Sequence, residues 1–255
     1  MNPEVFARLA AKAQAGDRKA LSALLRITHT PVLFQCRKLL RNDQAAEDMT
    51  RGILAAVPKT LGTLKDPADF EKWICRVTAS RCMLALEQQE PETQVSEVSL
   101  PEPPATDLDE AQTAQLVQQL VDTLPREPRI CLLLYSCTGL KLKGISQLTG
   151  FPESAVLEHL NTAQKTINQQ LRGYHRRGVH FTPIPALSSL LRTAMYASQD
   201  LKAAAAMVNE ILPKKEAPVR RRLPITKPML IALIAAATLL LILVAAIIFL
   251  EGSMK

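Results

Sequence analysis

Apolar side chains recur every three or four positions along most of the chain, and no run alternates apolar with polar residues as a half-buried strand would. The pattern therefore predicts an all-α fold. Asp17 heads a long amphipathic stretch through Leu40, where Asn42 and Asp43 supply a stop and a fresh N-cap for a helix reaching about Val57. A loop is expected from Pro58 to Lys65. Asp66-Pro67 then has the order of a cap followed by a first-turn proline, and the helix it opens carries Phe70, Trp73, Ile74, Val77, Met83 and Leu84 at helical spacing. At that spacing Phe70 and Trp73 read as core rather than as platforms for stacked bases.

The periodicity stops between Gln88 and Glu110. Four prolines, seven acidic side chains and no Lys or Arg mark residues 88–110 as an acidic linker between two helical domains, 1–87 and 111–172. In the second domain helices are expected over roughly 108–124, 126–138 with Gly139 as its end, 143–149, and from Pro152 to about Leu171. The turn Gly150-Phe151-Pro152 has the length of a helix-turn-helix joint. Residues 173–228 are basic, with ten Lys/Arg against three Asp/Glu. Within them, 183–212 carries a stripe of Leu187, Leu191, Met195, Leu201, Val208 and Leu212. A lone helix would leave that stripe in water, so it is expected to bury against membrane lipid or between the two domains, closing them.

Charge and hydropathy alter this picture at the far end. Met229 to Leu250 is a run of 22 residues without a charged side chain. As a helix it would be about 33 Å long, enough for a hydrocarbon core of about 30 Å, so one C-terminal transmembrane helix is expected over 229–250 with 251–255 as a short outer tail. Lys214, Lys215, Arg220, Arg221, Arg222 and Lys227 precede it, which by the positive-inside rule would keep the N-terminal domains cytoplasmic on a single-pass protein of the cell membrane. The first fourteen residues lack an apolar core of signal-peptide length. Cys36, Cys75, Cys82, Cys131 and Cys137 never take C-x-x-C spacing and sit in apolar helical patterns, so they read as buried thiols and no metal site is expected. No Gly-rich phosphate loop, paired-carboxylate set or nucleophile motif is present, so neither catalytic residues nor a cofactor is expected.

Four stretches, taken in order and spacing, carry a family resemblance: AQAGDRKAL (Ala13 to Leu21), RKLLRNDQAAED (Arg37 to Asp48), FEKWICRVTASRC (Phe70 to Cys82) and LPREPRICLLLYSCTGLKLKGISQLTGFPESAV (Leu124 to Val156). Over about residues 5–172 the chain resembles the bacterial sigma factors of the extracytoplasmic-function group. The resemblance implies a region 2-like domain over 1–87 and a region 4-like domain over 111–172, with core RNA polymerase and promoter DNA as partners. It assigns polymerase binding to Asp48 and Arg51, and contact with the melted −10 strand to Lys59, Lys65, Lys72, Arg76 and Arg81. It places Ser154, Leu157, Glu158, His159, Asn161, Thr162, Gln164 and Lys165 on the helix that reads the −35 element. Regulation is open between an anti-sigma protein and self-inhibition by residues 183–212.

The chain also departs from that family. Where members carry a Gln-Glu pair after the Ala-Glu-Asp run, this chain reads Arg51-Gly52, and an interior helix glycine costs about 1 kcal/mol relative to alanine. In the reading helix only Lys165 is a firm cation, beside Glu153 and Glu158, while Asn161 and Gln164 keep the amides that pair with adenine edges. Two functions stay open at this level. One is a membrane-tethered sigma factor that directs core polymerase to promoters. The other is a sigma-derived regulator that holds a partner at the membrane and no longer reads promoters.

Overall fold

Phe6, Leu9, Ala10 and Ala13 form an apolar stripe ahead of the first cap noted above, and it belongs to a helix, α1 (Pro3–Gln14), with Phe6 and Ala10 buried. The computed structural model describes residues 3–88, 100–197 and 200–212. Asp17 caps α2 (Arg18–Leu40) as expected: its Oδ1 accepts from the backbone N–H groups of Lys19 at 2.8 Å and Ala20 at 3.1 Å. Arg41, at φ 52, turns the chain out of α2, and Asn42 caps α3 (Asp43–Thr60) by accepting from Ala45 N–H at 2.9 Å. The helix α3 overruns the loop expected from Pro58. Pro58 lies inside it, and only Leu61–Thr63 forms a separate 3-10 turn. Gln14 Nε2 donates to the carbonyls of Leu61 at 2.9 Å and Leu64 at 2.8 Å, so α1 pins that turn. Asp66 then caps a 3-10 turn, Pro67–Asp69, that leads into α4 (Phe70–Glu87).

The second half follows its signals closely. Asp109 and Gln112 form a reciprocal capping box at the start of α5 (Glu110–Asp122). Gly139, at φ 66, ends α6 (Arg126–Thr138), and α7 (Leu142–Thr149) leads through Gly150-Phe151-Pro152 into α8 (Glu153–Arg176). That helix continues past Leu171 because Tyr174 is buried one turn further on, where its hydroxyl donates to the Pro101 carbonyl. Beyond it come α9 (Leu187–Ala197) and α10 (Leu201–Ile211).

Two features correct the expected fold. Strand β1 (Asp107–Leu108) pairs in parallel with β2 (His180–Phe181), a two-residue ladder in an otherwise helical chain. More substantially, the expected transmembrane helix is not found: among the described residues no helix is long and apolar enough to cross a membrane. The two longest, α2 with 23 residues and α8 with 24, are amphipathic and carry charges along their exposed faces. Residues 229–250, on which the expectation rested, lie outside the described residues.

All described residues fall within one compact unit, Met1–Pro213. Helix α2 packs on α1, α3 and α4, while α6 packs on α8, α9 and α7. The two sets meet where α6 crosses α2 and α4, and arginines near the start of α6 finish helices of the first set. The last four carbonyls of a helix have no partner of their own within it. Arg129 Nη1 donates to the Lys38 carbonyl at the end of α2 at 2.9 Å, and Arg126 Nη2 to the Leu86 carbonyl at the end of α4 at 2.9 Å. Lys38 answers with Nζ on Asp122 Oδ2 at 2.6 Å and on the Gln118 carbonyl at 3.2 Å. The five thiols are all free and buried. Burial pushes Cys75 and Cys131 up to about 11 and Cys137 up to about 12.

Candidate nucleic-acid interface

The helix-turn-helix is built around a small apolar joint. Gly150 takes φ 76, its N–H closes α7 on the Ser146 carbonyl at 2.9 Å, and Ile145 and Val156 are fully buried on either side of the turn. From there α8 presents its faces by the step of about 100° per residue. Val156, Ala163, Ile167, Leu171 and Tyr174 point inward. Ser154, Glu158, Asn161, Thr162 and Lys165 share the opposite, exposed face.

The remaining three of the eight candidate readers are placed differently. Leu157, 48% exposed, and Gln164 lie on one edge of α8, where with Asn161 they line a groove of about 650 Å³. Its other walls include Tyr135, Leu142 and Ile184 to Leu187. His159 lies on the other edge, half-buried, with its ring 5.3 Å from that of Phe151. Over Ser154 to Lys165 the outward face thus holds one cation, Lys165, against one anion, Glu158; Arg172 and Arg176 follow on the same face towards the end of the helix. We expect Glu158→Lys to steepen the salt dependence of binding to duplex of unrelated sequence by about 0.9 in log K against log salt, one added phosphate contact. A salt titration of the full chain checks this, and an unchanged slope would show that the outward face does not meet the duplex.

In the first set of helices Lys59, Lys65, Lys72, Arg76 and Arg81 are all exposed. They do not share one face. On α4, Lys72 and Arg76 are about 40° apart, whereas Arg81 lies about 140° beyond Arg76. Trp73, Val77 and Ser80, half-buried, and Leu84, 55% exposed, lie between them. Lys72 pairs with Asp69 at 3.2 Å in solvent. Phe70 is fully buried, its ring centroid 6.0 Å from Phe6 and 5.7 Å from Trp73, in keeping with the core reading of both.

Asp48 and Arg51 stand one turn apart on the exposed side of α3, joined at 3.2 Å, and Gln44 Nε2 donates to the other Asp48 oxygen at 3.1 Å. Arg51 Nε also meets Glu210 of α10 at 3.5 Å. Gly52 has open space around it, so it makes no close approach that would explain a glycine there. The pattern reading missed Glu71, which is buried to 14% side-chain exposure and accepts from both Arg192 and Tyr196. Its partners lie more than 120 positions away, and no local spacing announces them. Burial above all, with the nearby Cys75 and Glu71, pushes the Tyr196 hydroxyl well up from the usual phenol value, so it remains a donor. No group of side chains suited to hold a metal ion occurs among the described residues.

No protein-family model matches the chain. It is similar to a protein of Xanthomonas campestris pv. campestris described as "Probable RNA polymerase sigma factor RfaY", at 23% identity over 168 residues. The match takes in 62% of this chain and 42% of the length of that relative. The chain is thus sigma-factor-like in sequence over the greater part of its length.

Proposed function

We propose that the chain acts in transcription initiation as a sigma-like factor that engages core RNA polymerase and promoter DNA. One observation carries the reading. In a chain similar to a sigma factor over 168 residues, the helix-turn-helix turns Ser154, Glu158, Asn161, Thr162 and Lys165 outward on one helix face. That is the side from which a recognition helix reaches base edges. With Lys165 the one cation over Ser154 to Lys165 on that face, most of the hold on DNA would come from polymerase and from the basic side chains of the first set of helices.

A second reading has its own support. Glu153 and Glu158 are exposed in the first turns of α8, where a DNA-reading helix meets phosphates, and this favours a sigma-derived regulator that binds polymerase without choosing promoters. The two part company in one experiment at micromolar concentrations of the full chain with core polymerase. Co-elution with a defined transcript start on a promoter library supports the first. Co-elution without any defined start supports the second, and absence of co-elution rejects both.

A further inference from the structure

Helices α9 and α10 are the part of the fold that a sigma-like role leaves without work. The expected stripe is buried here, though as two helices and with a changed membership. Leu187, Leu190, Leu191 and Met195 of α9 and Ala204, Met207 and Val208 of α10 are buried, while Leu201 points outward at 64% exposure. Helix α9 packs chiefly on α6 and also meets α2 and α5; α10 packs on α2 and α3. One continuous segment therefore bridges the two sets of helices.

Its polar contacts fall on informative places. Arg192 Nη2 meets Glu71 Oε1 at 2.9 Å, and the Tyr196 hydroxyl donates to the same oxygen at 2.7 Å, latching α9 to α4. Gln35 Nε2 donates to Met195 Sδ at 3.5 Å, tying α9 to α2. Glu210 of α10 meets Arg51, one of the two side chains that the sigma-like reading assigns to polymerase. The start of the same segment, Ile184 to Leu187, walls the groove along Leu157 and Gln164 of α8.

We propose that residues 184–211 are an autoinhibitory strap: α10 covers the α2–α3 surface that would meet polymerase, and α9, latched on Glu71, holds the two sets of helices closed. This rests on the polymerase-binding reading of α3. The strap is suited to release. Each of its helices has 11 residues, below the length at which an isolated helix is stable in water, so it stays formed only while its apolar side is covered. The Arg51–Glu210 pair is exposed on both sides and is weakened by salt. A partner that binds α2 and α3 must displace α10, and its apparent affinity is the intrinsic one multiplied by the fraction of open molecules.

The test compares three full-length chains for affinity to core RNA polymerase: the parent, Val208→Asp at the buried side of α10, and Arg192→Glu at the exposed end of the latch. Both substitutions should tighten binding, by about tenfold or more if the open form is a minor species in the parent. Far-ultraviolet circular dichroism accompanies each binding curve. If Val208→Asp loses helix beyond the strap, Arg192→Glu carries the comparison, since its side chain is 48% exposed and its replacement leaves the core intact. Equal affinity in all three, or weaker binding by Arg192→Glu with helix retained, overturns the strap and leaves the polymerase reading standing. Failure of every chain to bind at micromolar concentration overturns the polymerase reading, and the strap as an inhibitor falls with it.

Discussion

Arg129→Ala should destabilise the fold by about 3 kcal/mol. The side chain is wholly buried in the first turn of α6, and its Nη1 donates to the Lys38 carbonyl at 2.9 Å. A hydrogen bond to a charged group contributes about 1.5–3 kcal/mol, and truncation adds the void left by a long side chain. The substitution also strands the Lys38 carbonyl at the end of α2, since its last-turn position gives it no partner in its own helix. For a chain of this size about 3 kcal/mol corresponds to a fall of roughly 6–12 °C in Tm. Arg126→Ala is the internal comparison: the side chain is half-buried, its bond to the Leu86 carbonyl is partly wet, and about 1 kcal/mol should be lost. Thermal unfolding of the two variants beside the parent measures both. A loss well below about 1 kcal/mol at both positions would show that these bonds of α6 to the ends of α2 and α4 are not what holds the two sets together.

Much of the helical layout is written locally. Asp17, Asn42 and Asp109 accept from backbone N–H groups two or three residues on, and Gly139 and Gly150 take left-handed conformations at helix ends, as their side chains or lack of them favour. The overrun of α3 through Pro58 is of another kind. Proline there removes only one donor, to the Leu54 carbonyl, in the last turn of a helix whose Val57 is buried and whose exit turn is held by Gln14. Helix α1 shows in the sequence only as Phe6, Leu9, Ala10 and Ala13, and four apolar positions are a weak signal. The faces of α8 follow from its period once Gly150 fixes where it starts. Which edge would be walled does not follow, because Ile184 to Leu187 return to Leu157 from more than twenty positions away. The same holds for Glu71. Its partners Arg192 and Tyr196 are distant in sequence, and the packing of α9 against both sets of helices brings them together. The expected membrane span over 229–250 lies outside the described residues, and none of the described helices is long and apolar enough to cross a membrane.

Removing the basic side chains of the first set should divide them into two groups. Lys72 and Arg76 sit within about 40° on α4, and Lys59 and Lys65 flank the 3-10 turn that Gln14 pins. We expect a melted strand to run over these two pairs, with one phosphate on each of the four cations. Arg81 faces away from them across Trp73, Ser80 and Leu84. The Lys72–Asp69 pair does not withdraw Lys72, because both side chains are more than half exposed and such a pair holds loosely. Each single-strand phosphate contact adds about 0.7 to the slope of log K against log salt. Replacing Lys59, Lys65, Lys72 and Arg76 together by glutamine should therefore lower the slope for the polymerase-bound chain on a premelted promoter by about 2.8. Contacts of this kind lose their force near 1 M salt, so at about 0.1 M the same change weakens binding by roughly several hundredfold. Arg81→Gln should leave both slope and affinity where they were. A salt series on the parent, the fourfold variant, Arg76→Gln and Arg81→Gln decides the matter: a slope that falls as much for Arg81→Gln as for Arg76→Gln would mean that the strand crosses α4 over half-buried Trp73 and exposed Leu84 rather than following Lys72 and Arg76.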